Sequence, residues 1–319
     1  MDHTSGVPDL SFRLLDEITD GFSPDRILGI GSFGKVYMGV HRNGEKIAVK
    51  VLHDMIALDN EQFTNEYNNL KKLEHPNIVR LVGYCRENTH EYVNYEGRRV
   101  IAEEIKRMLC FEYLHNGSLD KYLFDEHHGQ DWNTRYIIIK GICNGLKYLH
   151  EDLEAPMYHL DLKPANILLD ENMEPKIADF GLSRLFGEEK TRTTTSSVGT
   201  FGYLPPEYIE RNIISNKLDI FSLGVIVIKI MTGRSGYSKC FEMPHQQFIQ
   251  LVENNWRNRL QKPTDFEEVK RCIEIALRCL EVERSSRPTI GEIVQQLSET
   301  ETVIHNLFTQ LPHRRGDST

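Results

Sequence analysis

The sequence lacks a long apolar run, a targeting segment and a lipidation motif. Its longest apolar run, residues 221–228, ends at Lys229 and falls short of the ~20 residues that a membrane-spanning helix needs. No charged start followed by an apolar segment opens the chain, and neither end carries an acylation or prenylation signal. We therefore expect no spanning segment and a cytoplasmic location, with peripheral attachment at the plasma membrane as the alternative.

Basic residues are also fewer than acidic residues. The 319 residues include 38 Lys and Arg against 47 Asp and Glu, which gives a formal net charge of -9. A nucleic-acid-binding surface needs clustered positive charge, because binding releases counterions from the phosphate backbone. The charge balance therefore argues against nucleic acid as a partner.

Paired cysteine spacings are absent as well. The six cysteines form no CxxC motif, and most stand among apolar residues: Cys85, Cys110, Cys143, Cys240, Cys272 and Cys279. A thiolate metal site or a disulfide framework would need regular spacings. We therefore expect buried free thiols in a reducing compartment.

What the sequence does contain is a change of periodicity near residue 115. Residues 27 to about 114 favour strands, with Asn43-Gly44 as a hairpin turn and one helix at about 60–73. After residue 115 apolar side chains recur at helical spacing, for example at Ile138, Ile142, Leu146 and Leu149. The sequence thus predicts an α+β chain in which a small sheet-rich lobe precedes a larger helical lobe.

Two segments stand apart from this plan. Residues 11–22 place apolar side chains at helical spacing between a Ser cap and a Gly stop, which predicts a short docking helix. Residues 86–107 form a highly charged excursion that is too long for an ordinary connection. We interpret the excursion as a solvated insertion, with a partner surface as the alternative.

A glycine run, GIGSFGKV, occupies residues 29–36. Glycines let backbone N–H groups approach phosphate oxygens. A dinucleotide fold would need a helix directly after the run and an acidic residue ~20 positions on, but a hairpin follows and Lys50 stands there. Strand alternation puts Ala48 and Lys50 on one face, which would suit a flat base and phosphates of ATP. A surface lysine on an edge strand is the alternative.

The next helix carries a carboxylate within its apolar stripe. Phe63, Glu66 and Leu70 fall at helical spacing, and a carboxylate on a buried face is costly unless it is paired. We therefore expect Glu66 to pair with Lys50. An ordinary solvated glutamate is the alternative.

Two further motifs supply groups for phosphoryl transfer. HLDLKPAN spans residues 159–166 and DFG spans residues 179–181. The chemistry needs a carboxylate for the hydroxyl proton, a cation for the γ-phosphoryl group and oxygen ligands for Mg²⁺. Asp161, Lys163, and Asn166 with Asp179 offer these in turn. Each residue taken singly could satisfy a turn.

The ordered set of motifs resembles the protein-kinase superfamily over roughly residues 25–310. The matching motifs are GIGSFGKV, IAVK, Glu66, HLDLKPAN, DFG, GTFGYLPPE, KLDIFSLGV and RPT. Phrases such as HPNIVRLVGYC, NGSLDKYL and YLHED resemble plant receptor-like kinases and their cytoplasmic relatives, akin to the Pelle/interleukin-1-receptor-associated group.

The resemblance implies a bilobal kinase fold with a small antiparallel-sheet N-lobe, one main N-lobe helix and a mostly helical C-lobe. On that basis we expect an N-terminal extension over 1–24, a kinase domain over 25–311 divided at about 114/115, and a polar tail over 312–319. The implied function is transfer of the ATP γ-phosphate to protein Ser and Thr hydroxyls in plant receptor-type signalling, with immune signalling as a specific branch. The implied partners are protein substrates and an upstream receptor or immune complex.

The resemblance also implies roles for single residues. ATP would be held by Gly29, Ile30, Gly31, Ser32, Phe33, Gly34, Val36, Ala48 and Lys50, and Glu66 would pair with Lys50. Phe111 would be the gatekeeper, and the backbone of Glu112 and Leu114 would contact adenine. Asp161 would be the catalytic base, Lys163 the γ-phosphate contact, and Asn166 and Asp179 the Mg²⁺ ligands. Structural roles would fall to Asp219, bracing the catalytic loop, and to an ion pair between Glu207 and Arg287.

One departure concerns regulation. Leu160 stands where many kinases carry an Arg that pairs with a phosphate on the activation segment, as in the non-RD class. We expect phosphorylation of that segment not to act through this Arg. Candidate autophosphorylation sites are Thr191, Thr193, Thr194, Thr195, Ser196 and Ser197.

Three functions fit the motifs to different degrees. An active serine/threonine kinase needs Lys50, Asp161 and Asp179, and none of these is lost. Their loss would have favoured the alternative, a nucleotide-binding pseudokinase or signalling scaffold. A small-molecule phosphotransferase is disfavoured by GTFGYLPPE and by the helical tail around Arg287.

Overall fold

The structure is a computed structural model that describes residues 6–31, 34–52, 58–95, 98–123, 130–186, 191–194, 198–260 and 262–309. The chain divides into two compact units. The first unit contains the chain up to His115 together with Ala178–Ser183, and the second contains Asn116–Ile177 and the chain from Arg184 onward. The chain therefore enters the first unit a second time, for a short stretch.

The first unit is built on a five-stranded antiparallel sheet, as predicted. Its strands are β1 (Ile27–Gly31), β2 (Gly34–Val40), β3 (Lys46–Leu52), β4 (Leu81–Tyr95) and β5 (Arg98–Glu112), in the order β1-β2-β3-β5-β4. The predicted Asn-Gly turn lies in the β2–β3 hairpin, where the N–H of His41 donates to the carbonyl of Glu45 and Gly44 has φ +86°. Glycine at this position avoids the steric cost of a positive φ.

The predicted insertion over 86–107 is regular β-structure at its described residues, 86–95 and 98–107. It forms the outer part of the β4–β5 hairpin, with Arg86 opposite Arg107 and the pairing continuing to the ends of both strands. Its β-branched and aromatic residues suit a strand. Because β3 pairs with residues 108–112 of β5, this outer part extends beyond the β3 register. We call residues 86–107 the hairpin arm.

Two helices accompany this sheet in the described part of the first unit, α1 (Phe12–Ile18) and α2 (Leu58–Leu70). The Ser11 side chain caps α1 by accepting from the N–H of Leu14. The helix is shorter than the predicted 11–22, because the backbone turns to positive φ at Asp20 and Gly21. Leu15 and Ile18 of α1 are buried in one apolar cluster with Ile47 and Val49 of β3, so the predicted docking helix packs on the sheet of its own unit.

The second unit is mostly helical, as predicted. Its helices are α3 (Trp132–Lys147), α4 (Pro206–Arg211), α5 (Asn216–Thr232), α6 (Gly236–Glu242), α7 (His245–Arg257), α8 (Pro263–Cys279) and α9 (Ile290–Thr309). Among the short strands, β8 (Ile167–Leu169) pairs with β6 (Gly117–Ser118) on one side and with β9 (Pro175–Ile177) on the other. β7 (Met157–Tyr158) pairs with β10 (Arg184–Leu185), and β11 (Thr191–Thr193) pairs with β12 (Ile213–Ser215). These strands fix the loops that carry the candidate site.

Helix α5 contains the apolar run noted in the sequence. Ser215 caps its start by accepting from the N–H of Lys217, and Gly233, with φ +75°, follows its end. The helix is buried on nearly all sides, which is the pattern of a core helix. Within the described ranges, no helix is both long and apolar enough to cross a membrane.

Candidate active site

The glycine run lies where β1 meets β2. A Cβ on Gly34 would lie 2.1 Å from the carbonyl oxygen of Val51, so close packing against β3 requires glycine there. A Cβ on Gly29 would meet nothing within 4 Å, and one on Gly31 would reach only a backbone oxygen at 4.0 Å. Packing among the described residues does not explain these two glycines, whereas close approach of a ligand to the backbone would.

Other predicted ligand-binding positions flank this turn. Ile30 is 68% exposed, and Val36 is half-buried on β2 directly opposite Lys50. Ser32 and Phe33 lie outside the described residues.

Strand β3 presents its two faces as predicted. Ile47 and Val49 are buried in the cluster around α1, and Val51 packs against the same cluster. Ala48 and Lys50 therefore share the opposite face. A small side chain stands next to a cation on that face, as the proposed binding of a base and phosphates requires.

Lys50 makes two ion pairs. Its Nζ donates to Oε1 and Oε2 of Glu66 at 2.9 and 2.8 Å and to Oδ1 of Asp179 at 2.9 Å. The Glu66 side chain is 1% exposed, so its charge depends on this partner. Burial alone would lower the pKa of Lys50, but the charges of Glu66 and then Asp179 outweigh burial and raise the pKa. The predicted pair is present, and we call Lys50, Glu66 and Asp179 the lysine group.

Asn69 holds the DFG stretch to α2, a contact that motif analysis missed. Its Nδ2 donates to the carbonyls of Phe180 at 3.3 Å and Ser183 at 3.2 Å. Asn69 stands one helical turn after Glu66, so α2 contacts the stretch twice along one face, once through Lys50 and once directly. Asp179 has φ +68°, a conformation that favours Asn and Asp among residues other than glycine.

The predicted adenine-contacting residues lie at the end of β5. Phe111 and Leu114 are each 9% exposed. The N–H of Glu112 donates to the carbonyl of Arg80 at 3.1 Å, and its Oε1 accepts from the N–H of Arg80 at 2.8 Å. This reciprocal pair fixes the backbone where β5 ends.

A second group, made of three predicted site residues and of Thr200, which was not predicted, is assembled in the second unit. Asp161 is 5% exposed, and its carboxylate accepts from Nζ of Lys163 at 2.8 Å and from Oγ1 of Thr200 at 2.6 Å. Asn166 donates its Nδ2 to the backbone carbonyl of Asp161 at 2.8 Å and to Oδ2 at 3.2 Å. Lys163 also donates to Thr200 at 2.8 Å. We call Asp161, Lys163, Asn166 and Thr200 the aspartate group.

Asp219 on α5 braces the loop before Asp161, as predicted. Its carboxylate is fully buried and accepts from the N–H of His159 and the N–H of Leu160, both at 2.8 Å. His150 contributes a third contact through Nε2 at 2.9 Å, which sequence reasoning did not anticipate. Three hydrogen bonds satisfy a carboxylate that would otherwise be costly to bury.

Leu160 points into an apolar cluster. It is fully buried, has φ +66° and packs in one cluster with Phe186, Val198 and Tyr208. The hydroxyl of Tyr208 accepts from the N–H of Val198 at 2.7 Å. Apolar contacts therefore occupy the position where the family often carries a cation.

The predicted ion pair between Glu207 and Arg287 is present. It is bidentate, with Nη1 and Nη2 of Arg287 each 2.7 Å from a Glu207 oxygen. The Arg287 side chain is fully buried and also donates to the carbonyl of Glu281. Such geometry makes an arginine–carboxylate contact strong and directional.

The family model described as the protein kinase domain matches residues 22–297. The chain is 39% identical over 310 residues to Cysteine-rich receptor-like protein kinase 34 of Arabidopsis thaliana, covering 92% of this chain and 44% of that protein. It is also 39% identical over 304 residues to G-type lectin S-receptor-like serine/threonine-protein kinase SD1-13 of Arabidopsis thaliana, covering 92% and 35%.

A third relative extends the same pattern. The chain is 37% identical over 314 residues to Receptor-like serine/threonine-protein kinase SD1-7 of Arabidopsis thaliana, covering 93% of this chain and 35% of that protein. The chain thus spans less than half the length of the curated relatives that it matches.

Proposed function

We propose that the chain, which belongs to the protein kinase family, transfers the γ-phosphate of ATP to serine and threonine hydroxyls of proteins. One observation carries the proposal: the buried Asp161 carboxylate accepts a hydrogen bond from a hydroxyl, that of Thr200, at 2.6 Å. A carboxylate held in this way is suited to orient a substrate hydroxyl and accept its proton.

In this proposal the lysine group holds ATP. Lys50 would contact the phosphates, and Glu66 would keep its ammonium in place. The glycine run would bring backbone N–H groups to the phosphates. The remaining contacts would come from Ile30, Val36, Ala48 and the backbone of Glu112 and Leu114, with Ser32 and Phe33 assigned from the sequence alone.

The aspartate group would carry out the transfer. The bond from the γ-phosphorus to the bridging oxygen breaks, the substrate oxygen bonds to phosphorus, the hydroxyl proton passes to Asp161, and ADP leaves. Lys163 would stabilise negative charge on the transferred group. Thr200 and Asn166 hold the Asp161 carboxylate, so its orientation does not depend on bound substrate.

A protein kinase domain implies ATP and a divalent cation, and we propose that the cation is Mg²⁺ held by Asn166 and Asp179. Both residues offer hard oxygen ligands, and because Asn166 donates to Asp161 through its nitrogen, its amide oxygen remains as an acceptor. No three His, Cys, Asp or Glu side chains form a metal-binding group within the ranges that the structure describes. Mg²⁺ takes few protein ligands and relies on substrate phosphates, so two residues are enough to hold it. The cation would neutralise charge on the phosphates.

The relatives named above are receptor-like kinases of a plant. We propose that this chain acts in plant receptor-type signalling, with immune signalling as the specific branch, on protein substrates and downstream of a receptor. Its kinase domain would span 25–311. It would act in the cytoplasm or at the inner face of the plasma membrane.

The test uses the whole chain, expressed in bacteria and incubated with ATP and Mg²⁺ and a generic basic protein. We expect phosphate on Ser and Thr residues by mass spectrometry. Asp161→Asn should lower the rate by about 10²–10⁴-fold while ATP affinity stays within a few-fold, because the base acts in the transfer step. Equal rates for both chains would remove Asp161 from its role. ATP binding without transfer by the unaltered chain would establish the pseudokinase alternative.

A further inference from the structure

The stretch between Gly181 and Glu207 is fastened to the second unit by two short strand pairs. β10 pairs with β7, and the N–H of Phe186 donates to the carbonyl of Pro156 at 2.8 Å. β11 pairs with β12, and the N–H of Thr194 donates to the carbonyl of Asn212 at 3.0 Å. The second attachment rests on a three-residue strand, so a single added contact would change its stability substantially.

Thr191 begins β11 and faces solvent. It stands opposite Ser215 in the strand register, and its side chain is exposed. Its Oγ1 accepts from Nη1 of Arg284 at 3.3 Å. An exposed hydroxyl therefore already touches a guanidinium, the group that binds a phosphate most specifically.

Arg284 repels a neighbouring cation, Lys217. Lys217, which follows β12, donates to the carbonyl of Pro288 at 3.0 Å. Burial lowers the pKa of Lys217, the charge of Glu292 raises it, and the charges of Arg287 and Arg284 lower it again. A dianionic group beside Arg284 would relieve the repulsion between Arg284 and Lys217.

In many kinases an arginine directly before the catalytic aspartate binds the phosphate of the activation segment. Here that position is occupied by an apolar residue. Leu160 is fully buried among Phe186, Val198 and Tyr208, and its side chain has no group that could bind a phosphate. A phosphate on the stretch must find its cation elsewhere on the second unit. Arg284 lies within hydrogen-bond distance of one hydroxyl of the stretch without any rearrangement.

We propose that Thr191 is a phosphorylation site and that Arg284 binds the added phosphate, fastening β11 to β12. The modification rests on the proposed function: the γ-phosphorus of ATP bonds to Oγ1 of Thr191, the hydroxyl proton passes to Asp161 of the acting kinase molecule, and ADP leaves. The binding by Arg284 does not rest on it. Phosphorylation replaces a hydrogen bond from a charged donor to a neutral hydroxyl by a contact between opposite charges.

The first experiment maps phosphate on the whole chain by mass spectrometry after incubation with ATP and Mg²⁺, with a generic basic protein present. We expect phosphothreonine at 191, absent from Asp161→Asn. If the basic protein is phosphorylated and Thr191 is not, the modification is ruled out while the proposed kinase activity stands. If neither is phosphorylated, the proposed activity fails and the modification with it.

The second experiment tests Arg284 independently of the chain's own activity. Phosphoserine is installed during translation (Thr191→phosphoserine), and amide hydrogen exchange is measured over β11 and β12. We expect exchange to slow roughly tenfold relative to Thr191→Ser, because a charge-assisted hydrogen bond stabilises the strand pair. The slowing should disappear with Arg284→Gln and persist with Arg278→Gln, since Arg278 is exposed on α8 and contacts Gln296 instead.

A measurement that does not use Arg284→Gln keeps the proposal testable if that variant fails to fold. In the phosphoserine chain, 1 M NaCl should remove most of the slowing, because the Debye length falls to about 3 Å. Slowing that survives both the substitution and the salt would overturn the role of Arg284. Phosphoserine at 191 without any slowing would overturn it equally.

Discussion

The two groups of candidate catalytic residues are built differently. The lysine group joins three elements far apart in sequence, with Lys50 on β3, Glu66 on α2 and Asp179 after β9, by contacts between charged side chains. The aspartate group lies largely within one loop, from Asp161 to Asn166, and Asp219 holds that loop by its backbone. The lysine group therefore depends on the position of α2 relative to β3, whereas the aspartate group is formed mainly by the local structure of one loop.

This difference has an energetic counterpart. A buried ion pair is costly to break because the remaining charge is left without a partner. A loop held by several hydrogen bonds loses one contact at a time. Substitutions in the lysine group should therefore disturb stability and activity together, and those in the aspartate group mainly activity.

The largest effect should follow Lys50→Met. Glu66 would be left buried without its cation, so we expect the free energy of unfolding to fall by about 3–5 kcal/mol and phosphate transfer to be lost. Lys46→Met is the matched control, since Lys46 lies on the same strand but is exposed. Thermal or denaturant unfolding and a transfer assay measure both quantities.

The double variant Lys50→Met with Glu66→Leu tests whether the unpaired charge of Glu66 causes the loss of stability. It removes that charge, so most of the lost stability should return while activity stays absent. Return of activity would show that Lys50 is dispensable, and failure of stability to recover would show that charge is not the cause.

Asp219→Asn should lower the transfer rate by about 10–100-fold and stability by about 1–3 kcal/mol. The amide keeps one acceptor oxygen, so one of the N–H groups of His159 and Leu160 loses its partner. The affinity for ATP, measured by calorimetry, should change little. A loss of affinity as large as the loss of rate would contradict the separation of roles between the two groups.

Leu160→Arg should destabilise the chain by about 2–5 kcal/mol, because a charge would enter the apolar cluster around Phe186 and Val198. Leu160→Met conserves volume and should cost less than about 1.5 kcal/mol. We expect activity of the arginine variant to become newly dependent on phosphate in the stretch from Gly181 to Glu207. If phosphatase treatment already abolishes activity of the unaltered chain, that result counts against this expectation.

Asn69→Ala should have a smaller effect, about 1–2 kcal/mol in stability and a few-fold in rate. Two backbone carbonyls, those of Phe180 and Ser183, would lose their donor. Asn68→Ala is the control on the same helix, because Asn68 is exposed. Equal effects of the two variants would assign the change to helix propensity.

The reactivity of the cysteines allows the two units to be compared without any substitution in the chain. All six are buried and unpaired, as predicted. Burial raises the pKa of Cys85, Cys110 and Cys143 to about 12 and that of Cys240 to about 11. At pH 8 a thiol reagent should therefore react slowly until the chain unfolds, and Cys85 and Cys110 should react first because smaller units bury less surface.

The same shifts set the sign of a pH dependence. A thiol whose pKa is higher in the folded chain contributes stability that is complete below its unfolded pKa and is lost as pH rises above it. The unfolding temperature should therefore fall from about pH 8.5 upward. An unfolding temperature that stays constant over that range would show that the thiols ionise as readily in the folded chain as in the unfolded chain.

Motif spacing predicted every residue of the two groups except Thr200, which was not among the predicted site residues. Apolar periodicity predicted the two architectures. The Lys50–Glu66 pair was predictable because a carboxylate on an apolar stripe needs a cation. The contacts of Asn69 were not predictable, because an asparagine near the end of a helix belongs to no recognised sequence pattern. The strand pairing within the hairpin arm was not predicted, because its charged residues obscured the strand alternation.

The brief return of the chain to the first unit restricts how that unit can be inherited or exchanged. A gene fragment ending at His115 would encode Lys50, Glu66 and Asn69 but not residues 178–183, which supply Asp179 and both carbonyls bound by Asn69. Recombination at a single crossover would therefore pair α2 with a foreign version of that stretch. Chimeras between relatives should work when both segments are transplanted together.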